Sequence, residues 1–224
     1  MCGRYSWKKP GKKRFAKLNP NDPKPERSSF NRAPGQVQPT LSARNGAVEW
    51  KPMLWGRPPG RNKGRYGAFP INARAETVGE KPTFRESFEK RRCLVPADGF
   101  YEWEVLETQK YPHFIHLPDN ETFAMAGIWT KSLEESDQTD IFSLLTQIAH
   151  PSVLPLHHRM PVILRDSDWE IWLDPSSLPK HLEKILLKPG PRMIHYQVSK
   201  QVNSTKNDAP ELQLPFSERQ ATLF

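Results

Sequence analysis

The 224-residue chain carries 33 Lys and Arg against 25 Asp and Glu, a formal charge of +8, with 36% apolar residues and 23 prolines. That length suffices for one proper core, and no apolar run approaches the roughly eighteen residues that a bilayer-spanning helix needs, which excludes a helical membrane protein. The basic excess favours a polyanionic partner, because each phosphate neutralised by Lys or Arg releases condensed counterions.

The chain opens on Met1-Cys2-Gly3-Arg4-Tyr5, polar and basic at once, with no apolar secretory stretch. A cytoplasmic location is expected, with Cys2 and Cys93 as free thiols, since two cysteines are too few for a disulfide scaffold. A basic run follows at Lys8, Lys9, Lys12, Lys13, Arg14 and Lys17. Strand-like runs then occupy Val37 to Leu41 and Val48 to Trp55. The stretch from Pro58 to Gly67, with Arg57, Arg61, Lys63 and Arg65 in and around it, reads as an exposed basic loop. A helical piece at Thr83 to Lys90 precedes strands at Cys93 to Trp103, His113 to Leu117, Phe123 to Trp129, Ile141 to Ile148 and Met160 to Leu164, with turns at 118–122 and 131–140. Helical pieces at Asp166 to Leu173, capped by Asp166, and at Leu178 to Leu187 lead to a last strand at Met193 to Val198.

Strands do not alternate regularly with long helices, so a doubly wound parallel sheet is set aside. The expectation is an α+β fold, a curved, largely antiparallel β-sheet with a barrel-like core and short covering helices. Residues 1–212 read as a single domain and 213–224 as a flexible C-terminal tail.

The first chemical feature is Cys2. Removal of Met1, expected because the next residue is small, leaves an α-amine and a thiol on adjacent carbons, with ordinary pKa values of about 8 and about 8.5. The amine can condense with an aldehyde to a Schiff base, and the thiol can close a five-membered thiazolidine. An internal cysteine cannot do this. Glu102, between Tyr101 and Trp103, lies in apolar surroundings that should raise its pKa, although the spacing to Glu104 also fits an outward-facing strand residue. Cys93 reads as a small core residue. The remaining histidines form no metal-ligand spacing with the cysteines.

Several blocks carry a resemblance: Met1-Cys2-Gly3-Arg4-Tyr5, Asn31-Arg32-Ala33-Pro34-Gly35, Trp55-Gly56, Ile71-Asn72-Ala73-Arg74-Ala75-Glu76-Thr77, Arg92-Cys93-Leu94-Val95-Pro96-Ala97-Asp98-Gly99-Phe100-Tyr101-Glu102-Trp103, His157-His158-Arg159-Met160-Pro161-Val162, and Val198-Ser199 through Val202-Asn203 to Lys206-Asn207. Together, and in this order, they resemble the SRAP (SOS-response-associated peptidase) family. One departure is His158, where the family often has Asp, and His157 is favoured as the acting imidazole from its place in the block.

The resemblance implies a protein that crosslinks itself to the ring-opened aldehyde of an abasic site in single-stranded DNA, shielding the lesion during replication-coupled repair in the SOS response. Cys2, Asn72, Glu102 and His157 match the family's catalytic positions. Arg4, Arg74 and Arg159 match arginines that grip phosphates, Thr146 supports the same pocket, and Trp55, Trp103 and Phe69-Pro70 offer apolar surfaces for a base. No cofactor and no metal are expected, and a monomer is. The rival readings are a thiol peptidase using Cys2, on other proteins or on its own Met1, and a non-catalytic single-strand-binding module. Separately, Gln220, Leu223 and Phe224 in the last five residues resemble the short peptide by which bacterial proteins dock on the replication sliding clamp.

Overall fold

A computed structural model of the chain describes residues 2–18, 27–44, 46–56, 69–132 and 139–217. In chain order its strands are β1 (Tyr5–Trp7), β2 (Ser29–Arg32), β3 (Val37–Arg44), β4 (Ala47–Trp55), β5 (Asn72–Arg74), β6 (Arg92–Ala97), β7 (Gly99–Leu106), β8 (Gln109–His116), β9 (Phe123–Thr130), β10 (Ile141–Ile148), β11 (Arg159–Pro161), β12 (Ile163–Leu164) and β13 (Ile194–Gln197). Three short helices accompany them, α1 (Pro82–Lys90), α2 (Trp169–Leu173) and α3 (Pro179–Leu186). None is long or apolar enough to cross a membrane.

The α+β expectation holds, and the curvature goes as far as closure. β10 pairs with β4, β4 with β3, β3 with β6, β6 with β9, and β9 again with β10, a ring of five strands with antiparallel contacts everywhere except the parallel β10–β4 step. Closing a sheet removes its edges and encloses alternate side chains. Both faces of the ring are covered: Leu41, Leu94 and Ile128 fall on one face, Met53, Met125, Phe142 and Leu144 on the other, and all are buried. β10 is long enough to serve further strands beyond the ring: β5 runs parallel to it at Leu144–Thr146, and β11 antiparallel at Thr146–Ile148.

A second sheet, ordered β13-β8-β7-β1-β2, lies against the ring. Its two faces differ because strand side chains alternate. Phe100 of β7, Ile115 of β8, and Tyr5 and Trp7 of β1 join the main core, whereas Tyr101 and Phe114 form a smaller cluster with Val198, Val202 and Leu212. The passage from ring to second sheet falls at Asp98, so the stretch read as one strand from Cys93 to Trp103 is two. Gly99 makes this corner: a Cβ there would lie 2.3 Å from Phe114 Cζ and 2.7 Å from the Ile115 carbonyl oxygen.

Other differences from the sequence reading have local causes. Asp166 caps no helix; a 3-10 turn at Asp166–Asp168 precedes α2, and the Asp166 carboxylate pairs instead with Arg14 at 3.1 Å and Lys17 at 3.2 Å. Arg14 also pairs with Glu121. Part of the basic run is therefore spent on internal ion pairs, within a 3-10 segment, Lys9–Leu18, that buries Phe15 and Leu18. Residues 213–217, placed by the sequence in the tail, remain attached: Tyr196 donates to the Gln213 carbonyl at 2.8 Å, Val198 bridges Pro215, and Phe216 N donates to the Gln197 carbonyl at 2.8 Å. The basic loop at 58–67 and the clamp-like Gln220, Leu223 and Phe224 lie outside the described residues.

Candidate functional site

Cys2 precedes β1, which is inserted between β7 and β2. That insertion fixes the start of the chain against the ring: Cys2 is fully buried, and its thiol faces the Arg4 carbonyl at 3.8 Å. Burial pushes the thiol well above its ordinary range, and the nearby Glu102 charge adds to the shift. The thiol is thus held protonated.

Asn72 reaches the same place from the opposite wall. β5 carries it, paired with Leu144, and the Trp55 indole donating to the Ile71 carbonyl at 2.9 Å steadies the approach to β5. The Asn72 side-chain amide donates to the Cys2 carbonyl at 2.8 Å. Its Oδ1 is buried with no hydrogen-bond partner among the described residues.

Glu102 lies on β7 with Phe100 and Glu104, on the face toward the main core. It is only 4% exposed, so the outward-facing alternative is excluded. Burial pushes its carboxyl up to about 7, against the opposing pull of the positive charge at the chain's amino terminus. That pull places Glu102 and the start of the chain within one electrostatic neighbourhood.

His157 shares it. Burial first, and the amino-terminal charge second, hold its imidazole below the ordinary range. The Arg159 backbone N–H donates to His157 Nδ1 at 2.9 Å, which leaves Nε2 to carry the proton of the neutral ring. His158 stacks on it with ring centroids 4.4 Å apart and is itself exposed. Cys2, Asn72 and Glu102, far apart in sequence, are thus drawn together by the Asn72 bond to the Cys2 carbonyl and the Glu102 charge beside the thiol, and His157 feels the amino-terminal charge that Glu102 also feels. Such a set can give and take protons near neutrality and hold a backbone in place.

The three arginines stand in different states. Arg74 is exposed at the end of β5. Arg4 is half-buried, its Nη1 donating to Asn31 Oδ1 at 2.7 Å and to the Val202 carbonyl at 2.6 Å. Arg159 is buried and bound to Glu76. Thr146, 1% exposed, donates to the Ala73 carbonyl at 3.3 Å and so supports β5 from behind.

The aromatic surfaces need correction. Trp55 is fully buried, edge-on to Tyr5 at 5.3 Å and stacked on Phe142 at 6.2 Å, so it is core and offers nothing to a base. Phe69 packs on Phe84 at 5.8 Å. Trp103 is half-buried on the face opposite Glu102, its indole donating to Asn203 Oδ1 at 2.8 Å, with the Arg4 guanidinium 6.0 Å from its ring.

Two residues escaped the sequence reading although they stand inside the quoted blocks. Asn31, 2% exposed, clasps the late chain to the early one: its Nδ2 lies 3.2, 3.0 and 2.7 Å from the carbonyls of Val202, Ser204 and Asn207 while its Oδ1 receives Arg4. Glu76 holds Arg159. Neither had a local signal of its partner, since Arg159 lies 83 residues from Glu76 and the carbonyls that Asn31 holds lie 171 or more residues from it.

Comparison with known proteins adds the following. The model of the SOS response associated peptidase (SRAP) family matches residues 1–205. The chain is 36% identical over 220 residues to abasic site processing protein YoqW of Bacillus subtilis, covering 95% of this chain and 98% of that one. It is 29% identical over 226 residues to abasic site processing protein YedK of Escherichia coli, covering 96% and 100%. A solved structure from Bacteroides thetaiotaomicron matches with a TM-score of 0.80 and 25% identity, covering 96% of this chain and all of that one, 100%.

Proposed function

Because the chain belongs to the SOS response associated peptidase (SRAP) family, we propose that it captures abasic sites in single-stranded DNA by a covalent bond from Cys2. Its relatives YoqW and YedK are both named abasic site processing proteins. The observation that carries the reading is the Asn72 bond to the Cys2 carbonyl, made beside the buried Glu102 carboxyl.

The reaction begins once Met1 has been removed, because with Met1 attached the Cys2 nitrogen is an amide. An abasic deoxyribose is mostly a closed hemiacetal. Glu102, half-protonated near neutrality, gives a proton to the ring oxygen while the hydroxyl proton passes to His157 and returns through solvent to Glu102, and the ring opens to the aldehyde. The Cys2 amine attacks the aldehyde carbon, and its two protons pass by way of His157 and Glu102 to the carbonyl oxygen, which departs as water to leave the Schiff base. The Cys2 sulfur then bonds to the same carbon while its proton passes to the imine nitrogen. One water is lost overall and no oxidant is needed. Holding the thiol protonated delays sulfur until the imine exists, and it also argues against a general thiol peptidase, whose nucleophile is the thiolate.

Phosphate and stacking contacts carry little base information, so binding is nearly independent of sequence. The test is a denaturing gel of the processed protein with single-stranded DNA bearing one abasic site. A heat-stable band that Cys2→Ala abolishes is expected. No band, with binding retained, would leave a simple binding module, and cleavage of an unrelated protein would favour the peptidase.

A further inference from the structure

Arg159 enters the site from β11 with 8% of its surface exposed. A guanidinium has two edges that can hold a carboxylate or a phosphate through paired hydrogen bonds. Glu76 occupies the edge made by Nη1 and Nη2, with Oε1 at 2.6 Å and Oε2 at 2.8 Å. On the other edge Nη2 donates to the Thr146 carbonyl at 2.5 Å, and Nε is buried without a hydrogen-bond partner among the described residues. The arginine that the family resemblance assigns to phosphate is therefore already occupied and neutralised. Glu76 keeps 41% of its side chain exposed and belongs to the one-turn segment Ala75–Thr77, which buries none of its residues. It can swing away without unpacking the core.

We propose that Glu76 is an internal competitor for phosphate, holding Arg159 in place and neutralised until a DNA phosphate displaces the carboxylate. The proposal rests on the reading that this cleft takes DNA. A carboxylate and a phosphodiester present the same pair of oxygens to a guanidinium edge, so the exchange preserves geometry and trades one charge for another. The Arg159 bond also holds the Glu76 carboxyl below its ordinary range, so it stays charged, and competes, at neutral pH. Undamaged strands must break the pair with little return, whereas at a lesion the bond to Cys2 makes the exchange permanent. Glu76 would in this way favour damaged over intact DNA without touching a base.

Equilibrium binding of an undamaged single-stranded oligonucleotide, read by fluorescence anisotropy over a salt series, tests the proposal with no reaction at Cys2. Glu76→Gln is expected to tighten binding about fivefold at low salt, the scale of a partly exposed ion pair. It should also steepen the slope of log affinity against log salt by about 0.7, the increment for one phosphate contact on a single strand. Both changes should vanish in an Arg159→Ala background. If that background melts early, Arg159→Lys replaces it, because lysine has no paired edge to occupy. Unchanged or weaker binding by Glu76→Gln, or an equal gain without Arg159, overturns the proposal while leaving the crosslinking chemistry standing. Failure of the parent protein to bind the oligonucleotide at any salt removes both.

Discussion

Asn72 and Cys2 are 70 residues apart in sequence and joined by one 2.8 Å hydrogen bond, from the side-chain amide of the first to the backbone carbonyl of the second. Because β5 anchors Asn72 to β10, the bond sets the position of the Cys2 backbone, and with it the approach of its nitrogen to an aldehyde. Asn72→Ala is expected to slow crosslinking by about 10- to 100-fold, the scale of a small misplacement of reacting groups. Affinity for undamaged DNA should stay within about twofold, since no phosphate contact is lost. Asn72→Asp, which sets an acceptor against an acceptor, should do no better. Single-turnover gel kinetics beside an anisotropy titration separate the two effects, and parent-like crosslinking by Asn72→Ala would refute the role.

Glu102 links stability to pH. Its carboxyl titrates at about 7 in the folded chain against an ordinary 4.5, so folding takes up a proton between those values. The associated stability is fully present below 4.5 and is lost as the pH rises through 7. Glu102→Gln removes this penalty: it should be more stable than the parent at pH 8, by on the order of 3 kcal/mol, and nearly equal to it at pH 4.5. Urea unfolding at the two pH values reads the difference. The same variant should lose the limb of the crosslinking pH profile near 7.

Arg74 is exposed at the end of β5, two residues from Asn72. Arg74→Ala is expected to weaken single-strand binding and to flatten the salt dependence by about 0.7 in slope. Anisotropy over a salt series measures both quantities, and an unchanged slope would remove Arg74 from the interface.

Arg92 has a structural task. It is 3% exposed, and its guanidinium donates to the backbone carbonyls of Trp172 at 2.7 Å, Phe88 at 2.7 Å and Glu89 at 2.6 Å, and also to that of Asp174, so that the ends of α1 and α2 share one donor. Burial lowers its pKa to about 10, still far above neutrality. Arg92→Leu strands these acceptors and should cost about 3 kcal/mol, seen as a lower urea midpoint with an unchanged slope. Catalysis per folded molecule should not change.

The longer strands were legible because alternation and turn residues are local properties: Ala47–Trp55 and Ile141–Ile148 match their sequence limits to within a residue, while Val37–Arg44 runs three residues past the expected Leu41. β1, β2 and β5 were not. Each has three or four residues, too few for a periodic signal, and each owes its form to partners far along the chain. The same reason limits what sequence says of the site. Glu102 could be suspected from its apolar neighbours, but its inward orientation follows from the β7 face that also carries Phe100 into the core. Trp55 was misread because an aromatic beside glycine looks the same whether a base or Tyr5 lies on it. Glu76 stood in plain view without a role, since nothing in the local pattern reveals that Arg159 closes over it.

The clasp at Asn31 has a temporal consequence. Synthesis runs from the amino end, so β1 and β2 emerge from the ribosome long before Val202, Ser204 and Asn207 arrive to tie down Asn31 and Arg4. A nascent chain can thus pair β1 with β2 and β7 before the carbonyls that hold Asn31 and Arg4 have been made, and the clasp is the last part of this strand's surroundings to form.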